Sequence, residues 1–244
     1  MPAANRASAT CRVYACEGTS FPRDRGRCWP RPARERQNGG VLDGPSTRGR
    51  LLVATPPLGD PNFDRSVIYV LEHSSAGAVG LVLNRTGSSS GRPDATLVDA
   101  PTALDDVDAT LAVLEAWQPL LAPPRRMFVG GPVGDDSLIA VAAGVGRSSE
   151  TWGALTPSIG TVDLTVAPDE AAEQIDRVRI FRGYAGWAPG QLDAELDEGA
   201  WMVFDAVDDD VFTARPDQLW RDVVRRQGGS LAWIADAPDD IGAN

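Results

Sequence analysis

Lysine is absent from this 244-residue chain, histidine occurs once, and all three cysteines fall within the first 28 residues. Each shortage removes chemistry. Without lysine there is no Schiff base, no phosphate-loop lysine and no lysine general base. With His73 as the sole imidazole, a histidine-rich metal site cannot form, and any Ser–His–acid arrangement would have to run through that one ring. A zinc site built on Cys11, Cys16 and Cys28 would lack a fourth ligand close in sequence. The N-terminus has no apolar core of about 7–15 residues to mark a secretory signal. No uninterrupted apolar run reaches about 18 residues, the length of a membrane span. There is no internal repeat.

What is present is unevenly charged. Residues 1–50 carry ten arginines against four acidic residues, a net of +6, whereas the remainder carries thirteen against thirty, a net of −17. An acidic body repels phosphate backbones, which argues against direct DNA binding, and no helix-turn-helix pattern is evident. Residues 1–47 are rich in Arg, Pro and Gly and lack apolar periodicity, the composition of a disordered extension. An upstream start codon would account for such a segment. Tyr14, Phe21 and Trp29 are too scattered for it to read as a nucleic-acid arm. Residues 48–236 form the expected domain, and 237–244 an acidic tail.

Within the domain, apolar runs and turn residues alternate. Leu51–Ala54, Ser66–His73 and Gly80–Asn84 read as strands, the last two joined as a hairpin through Gly77 and buried on both faces. Val107, Leu111 and Leu114 mark a helix over 106–117 that Pro119 ends. Met127–Val129 runs into Gly130-Gly131-Pro132, with Ser137–Ala143 expected as its hairpin partner. Residues 144–160 read as a loop carrying Trp152, followed by a strand over 161–166 and a helix over 168–175. Pro216–Gln227 is an amphipathic helix, and Ser230–Ile234 is expected to be a last strand.

The stretch Arg177–Trp201 organises the rest. Val178, Ile180 and Phe181 alternate with Arg177, Arg179 and Arg182, the pattern of a strand with one wet face. Gly183, Gly186 and Gly190 punctuate Tyr184 and Trp187 as a turn, and Pro189 opens a short helix. Leu192 and Leu196 form its inner stripe, with Asp193, Glu195, Asp197 and Glu198 on the wet side. Gly199 stops it before the buried strand Trp201–Phe204.

The blocks GRLLVATPPLGDPNFDRSVIYVLEH (49–73), GAVGLVLNR (77–85), GGPV (130–133) and RIFRGYAGWAPGQLDAEL (179–196) resemble the signature blocks of the YqgE/AlgH family, in the family's order. The resemblance implies a single compact α/β (α+β) domain whose mixed, strongly bent, barrel-like β-sheet carries helices on its outside. It also implies a bacterial cytoplasmic protein without an assigned activity. A member's link to alginate regulation gives the family a "transcriptional regulator" label, which names a phenotype and not a chemistry. The chain departs from the pattern in its N-terminal extension and in longer loops at 86–105 and 144–160.

The candidate residues point to binding before catalysis. There is no GxSxG elbow, no EF-hand spacing and no phosphate loop, so no catalytic residue, metal ligand or cofactor is assigned. Candidate binding residues are Glu72 and His73 at a strand end, Asn84, the Gly130-Gly131 pair, and Gly183, Tyr184, Gly186, Trp187 and Gln191 of the glycine–aromatic stretch. That stretch has two readings: a shallow pocket for a carboxylate or carbonyl of a protein or small-ligand partner, or core aromatics beside glycines that permit close packing. A non-catalytic adaptor or regulatory protein follows from these residues. The alternative is a hydrolase or transferase using His73 and nearby carboxylates, recognised by whether His73, Glu72 and a Ser or Asp converge.

Overall fold

A computed structural model describes residues 46–56, 63–87, 104–144 and 152–235. The termini of the expected domain scheme, 1–45 and 236–244, lie outside them. Nine strands form one sheet: β1 (Arg50–Ala54), β2 (Val67–Ser74), β3 (Gly77–Val82), β4 (Phe128–Val129), β5 (Val133–Ala143), β6 (Trp152–Ala154), β7 (Ile159–Val162), β8 (Arg177–Trp187) and β9 (Trp201–Asp205). Their order is β6-β7-β5-β8-β3-β2-β1-β9, with β4 beside β8. All neighbouring pairs are antiparallel except β4 with β8, so a single parallel pairing makes the sheet mixed. The sheet curls into a half-barrel. Around it lie α1 (Leu104–Trp117), α2 (Pro168–Ala171), α3 (Gln191–Asp197), α4 (Asp208–Val211), α5 (Leu219–Arg226) and α6 (Gly229–Ala235).

Strand periodicity sorts the core into layers. Leu51 and Val53 of β1 join Tyr69, Leu71, Leu81 and Phe181 on one face, under Trp220, Val223 and Val224 of α5. Leu52 and Ala54 face the other way and join Ile68, Val82, Ala185 and Trp187 under Leu192 of α3. A third cluster, with Trp117, Trp152, Val178 and Ile180, packs under α1 and α2. The β2–β3 hairpin is buried on both faces, as its continuous apolar runs require.

Strand β8 joins the two halves. Arg177–Arg182 pair with β5, and Ala185–Trp187 pair with β3. The expected turn at 183–187 is therefore strand, and the glycines serve its crossing from one half to the other. Gly183 takes φ +68°, and a Cβ there would run into the carbonyls of Gly131 and Val133. Gly130 and Gly131 pass so close to the Gly183–Tyr184 backbone that a Cβ on either would collide with it.

Other expectations are corrected by packing. Residues 229–235 form a helix and not a strand, because Leu231, Ile234 and Ala235 fall at i, i+3 and i+4 and pack onto the α5 core. β5 is a neighbour of β7 and β8, not a hairpin partner of β4. Trp152, expected in a loop, starts the edge strand β6 and is buried. The strand expected over 161–166 is β7, ending at Val162, and the helix over 168–175 shortens to α2. Arg179 is not on a wet face: it is 1 % exposed, on the same side of β8 as Phe181.

Candidate functional site

The junction of β8, α3 and β9 brings together two of the candidate residues, Trp187 and Gln191. Trp187 ends β8, and its ring meets Trp201 of β9 edge-on at 6.1 Å; Trp201 in turn meets Phe63 at 5.6 Å. Both indole N–H groups donate to one oxygen of Glu195, at 2.9 Å from Trp187 and 2.8 Å from Trp201. The other Glu195 oxygen accepts from Gln191 Nε2 at 2.9 Å, and Gln191 Oε1 accepts the Ala188 N–H at 3.0 Å. A carboxylate taken out of water needs such donors to offset its lost hydration. Glu195, expected on the wet side of α3, is 8 % exposed. The sequence did hold a signal: Leu192, Glu195 and Leu196 stand at i, i+3 and i+4, so Glu195 lies on the apolar stripe. The amide and aromatics expected to greet a partner's carboxylate are engaged by the chain's own.

His73 lies next to this cluster at the end of β2. Its Nδ1 accepts the Thr47 N–H at 3.2 Å and lies 3.0 Å from Thr47 Oγ1. A ring nitrogen that accepts an N–H carries no proton of its own, so the neutral ring holds its proton on Nε2, which points at Asp193 Oδ1 3.4 Å away. Ser46 Oγ donates to the His73 carbonyl at 3.1 Å. Thr47 and His73 are 3 % and 4 % exposed, so the residues 46–47 seal the imidazole from solvent. Glu72, the adjacent strand residue, points to the opposite face and pairs loosely with Arg48 at 3.7 Å. His73 and Glu72 are thus neighbours in sequence but not in one site.

The remaining candidates lie elsewhere. Asn84 closes the start of β2: its Oδ1 accepts the Val67 N–H at 3.0 Å, and its Nδ2 donates to the Arg65 carbonyl at 2.8 Å. That bond fixes Arg65 at φ +50°, a conformation a non-glycine residue seldom adopts. Tyr184 is half-buried and stacked over Gly134 and Gly186, where side chains would strike its ring.

Two buried polar groups escaped sequence reasoning. Arg179 lies beneath the Phe128 ring, with its guanidinium carbon 4.1 Å from the centroid. It donates to the carbonyls of Val211, Pro123 and Thr213, while its Nε has no hydrogen-bond partner. Burial first, and repulsion from Arg177 second, pull its pKa down to about 9. Tyr69 carries a hydroxyl pushed up to about 12 by burial and then by the Asp208 charge. Thr156, too loosely placed to count as a hydrogen bond, and Arg48 offset part of that rise. Among the described residues, no three His, Cys, Asp or Glu side chains converge as a metal-ligand set would.

Fold and junction together define a class of α/β protein: a curled, almost wholly antiparallel sheet, one strand shared by both halves, and a short acidic helix sealing that strand's end. The chain belongs to the AlgH-like family, whose family model matches residues 51–232. UPF0301 proteins of Streptomyces avermitilis and Streptomyces coelicolor are each 43 % identical to it over 210 residues, spanning 84 % of this chain and 99 % of theirs. A crystal structure of a Corynebacterium diphtheriae protein is similar at a TM-score of 0.66, with 26 % identity over 81 % of this chain and 95 % of that one. The solution structure of the AlgH protein from Pseudomonas aeruginosa is similar at 0.55, with 27 % identity over 82 % and 100 %. No helix among the described residues is long and apolar enough to cross a membrane.

Proposed function

We infer that this protein is a non-catalytic binding protein of the cytoplasm, an adaptor or regulator that works through contacts with a protein or small-ligand partner. One observation carries the reading: the polar groups at the β8–α3–β9 junction are matched by one another. Glu195 receives three N–H donors, Gln191 is bonded at both ends, and His73 is engaged through both ring nitrogens. A general base or nucleophile needs a lone pair or proton within reach of substrate, and the His73 ring and the Glu195 carboxylate are both buried and bonded. Net charge speaks against nucleic acid as the partner, since the region after residue 50 sums to −17.

A second reading has its own observation. Thr47 Oγ1, His73 and Asp193 form a hydroxyl–imidazole–carboxylate chain, with steps of 3.0 and 3.4 Å. It has the connectivity of a hydrolase or transferase relay. At 3 % exposure Thr47 would have to swing out to meet a substrate.

The test begins with affinity capture on the immobilised chain. The retained molecule is then purified and titrated against the protein by calorimetry. Saturable association with no chemical change in the retained molecule supports binding. Turnover that His73→Gln abolishes would replace the first reading with the second.

A further inference from the structure

Strand β9 ends the sheet, and among the described residues no strand covers its outer side. The main-chain groups there can be assigned. The Ala54 N–H donates to Ser66, on the β2 side, and the Thr55 N–H donates to Ala200, on the β9 side. Successive peptide groups alternate, so Leu51 and Val53 bond toward β9, to their register partners Phe204 and Met202. Trp201, Val203 and Asp205 therefore direct their N–H and C=O groups away from the sheet. No main-chain partner for those three N–H groups occurs among the described residues.

Edge strands are ordinarily protected by lysine, proline, a bulge or brevity. The opposite edge, β6, is three residues long. β9 is five residues long, pairs with β1 in unbroken register, and has neither proline nor a basic residue. Met202, Val203 and Phe204 stay partly exposed along it. Its surroundings are predominantly acidic, four carboxylates against two arginines: Asp197 and Glu198 precede it as exposed residues, Asp205 ends it with its side chain 91 % exposed and paired with Arg50 at 3.0 Å, and Asp209 follows at 88 %, paired with Arg177 at 3.1 Å. A second copy of this acidic body would meet like charge across the edge, whereas a basic strand would meet opposite charge.

The geometry points to β9 as a strand-addition site for an extended, arginine-bearing segment of a partner protein. The segment's backbone bonds to Trp201, Val203 and Asp205, and its arginines reach the acidic residues at either end. This rests on the binding reading above and names where and what the protein binds.

The probe is a capped synthetic peptide alternating arginine with valine, titrated into the full chain at physiological salt. A twin peptide is N-methylated at every second residue, which removes the N–H groups on one edge and keeps composition and charge. The expected result is saturable one-to-one binding, weakened roughly tenfold or more by N-methylation, the factor that losing one or two hydrogen bonds carries. Val203→Pro deletes the central outward N–H of an edge position that tolerates proline, and should weaken binding to a similar degree. Equal binding by both peptides would reduce the effect to charge attraction and overturn the proposal. Binding that appears only after residues 1–45 are removed would assign the edge to this chain's own segment, and a dimer dissolved by Val203→Pro would assign it to a second copy. Either result overturns a partner strand. A purified natural partner that binds Val203→Pro as tightly as the unaltered chain would refute the edge while leaving the binding reading intact.

Discussion

The two ends of β8 bury opposite charges and satisfy them differently. Near its C-terminal end, Glu195 of α3 takes every bond from side chains: two indoles and an amide, each of which is also fixed by its own packing. In its N-terminal half, Arg179 takes its bonds from the main chain, reaching carbonyls of the 121–124 loop and of the end of α4 with the residues after it, and one of its N–H groups has no hydrogen-bond partner. The first arrangement ties α3 and β9 to the sheet through residues close in sequence. The second ties the 121–124 loop and the end of α4 to a strand distant from both in sequence. The acidic junction is a local structure completed by one segment, 187–201, whereas the guanidinium is a long-range fastener whose partners only the whole fold brings together.

Removing each charge should separate these roles. Glu195→Ala leaves two buried indole N–H groups without an acceptor and should cost about 3–5 kcal/mol in denaturant unfolding, the range for breaking a buried polar network. Arg179→Met keeps the volume and the contact with Phe128 but strands three carbonyls; the expected cost is about 2–3 kcal/mol. If Arg179→Met were the costlier of the two, long-range fastening would outweigh the junction.

The junction was partly legible in sequence. Strand, glycines and helix could be placed because proline, glycine and leucine spacing are local signals. The site's wiring was less so. A carboxylate is normally solvated, and only the positions of Leu192 and Leu196 argue that Glu195 is not. Alternation along β8 predicts a wet Arg179, yet the strand is covered on both faces, so alternation no longer separates inside from outside. Thr47 and Asp193 converge on His73 from 26 residues before it and from α3, a meeting no short window contains. The last helix differs from the expected strand because SLAWI is short and apolar, a run that suits either a buried strand or a helix until its packing partner is known.

Tyr69 gives a smaller effect that probes the core away from both ends. Its pKa is raised from the ordinary value of 10 to about 12 in the folded state, so the neutral phenol contributes stability below pH 10 that is lost as pH rises through 12. Unfolding free energies measured across that window should fall with pH, and Tyr69→Phe should flatten the decline. Absorbance titration gives an independent check, because the chain has only three tyrosines. The phenol that Tyr69→Phe removes should ionise above the ordinary value of 10.

The smallest effect concerns the N-terminal boundary. Deleting residues 1–45 should move the unfolding free energy by less than about 0.5 kcal/mol, as for changes outside packed structure. Removing Ser46 and Thr47 as well takes away their bonds to His73 and should cost about 1–2 kcal/mol more. A large loss from the first deletion would show that the extension packs on the domain.

The central claim, that the polar groups at the β8–α3–β9 junction are occupied by one another and not presented to substrate, can be tested on the sole imidazole. Diethyl pyrocarbonate acylates neutral histidine to a product with its own absorbance, and His73 is the only histidine of an untagged chain. The account predicts modification far slower than that of free N-acetylhistidine, accelerating when Ser46 and Thr47 are deleted or the chain is unfolded. Modification of the native chain at the rate of the free compound would show an open, available base and contradict it.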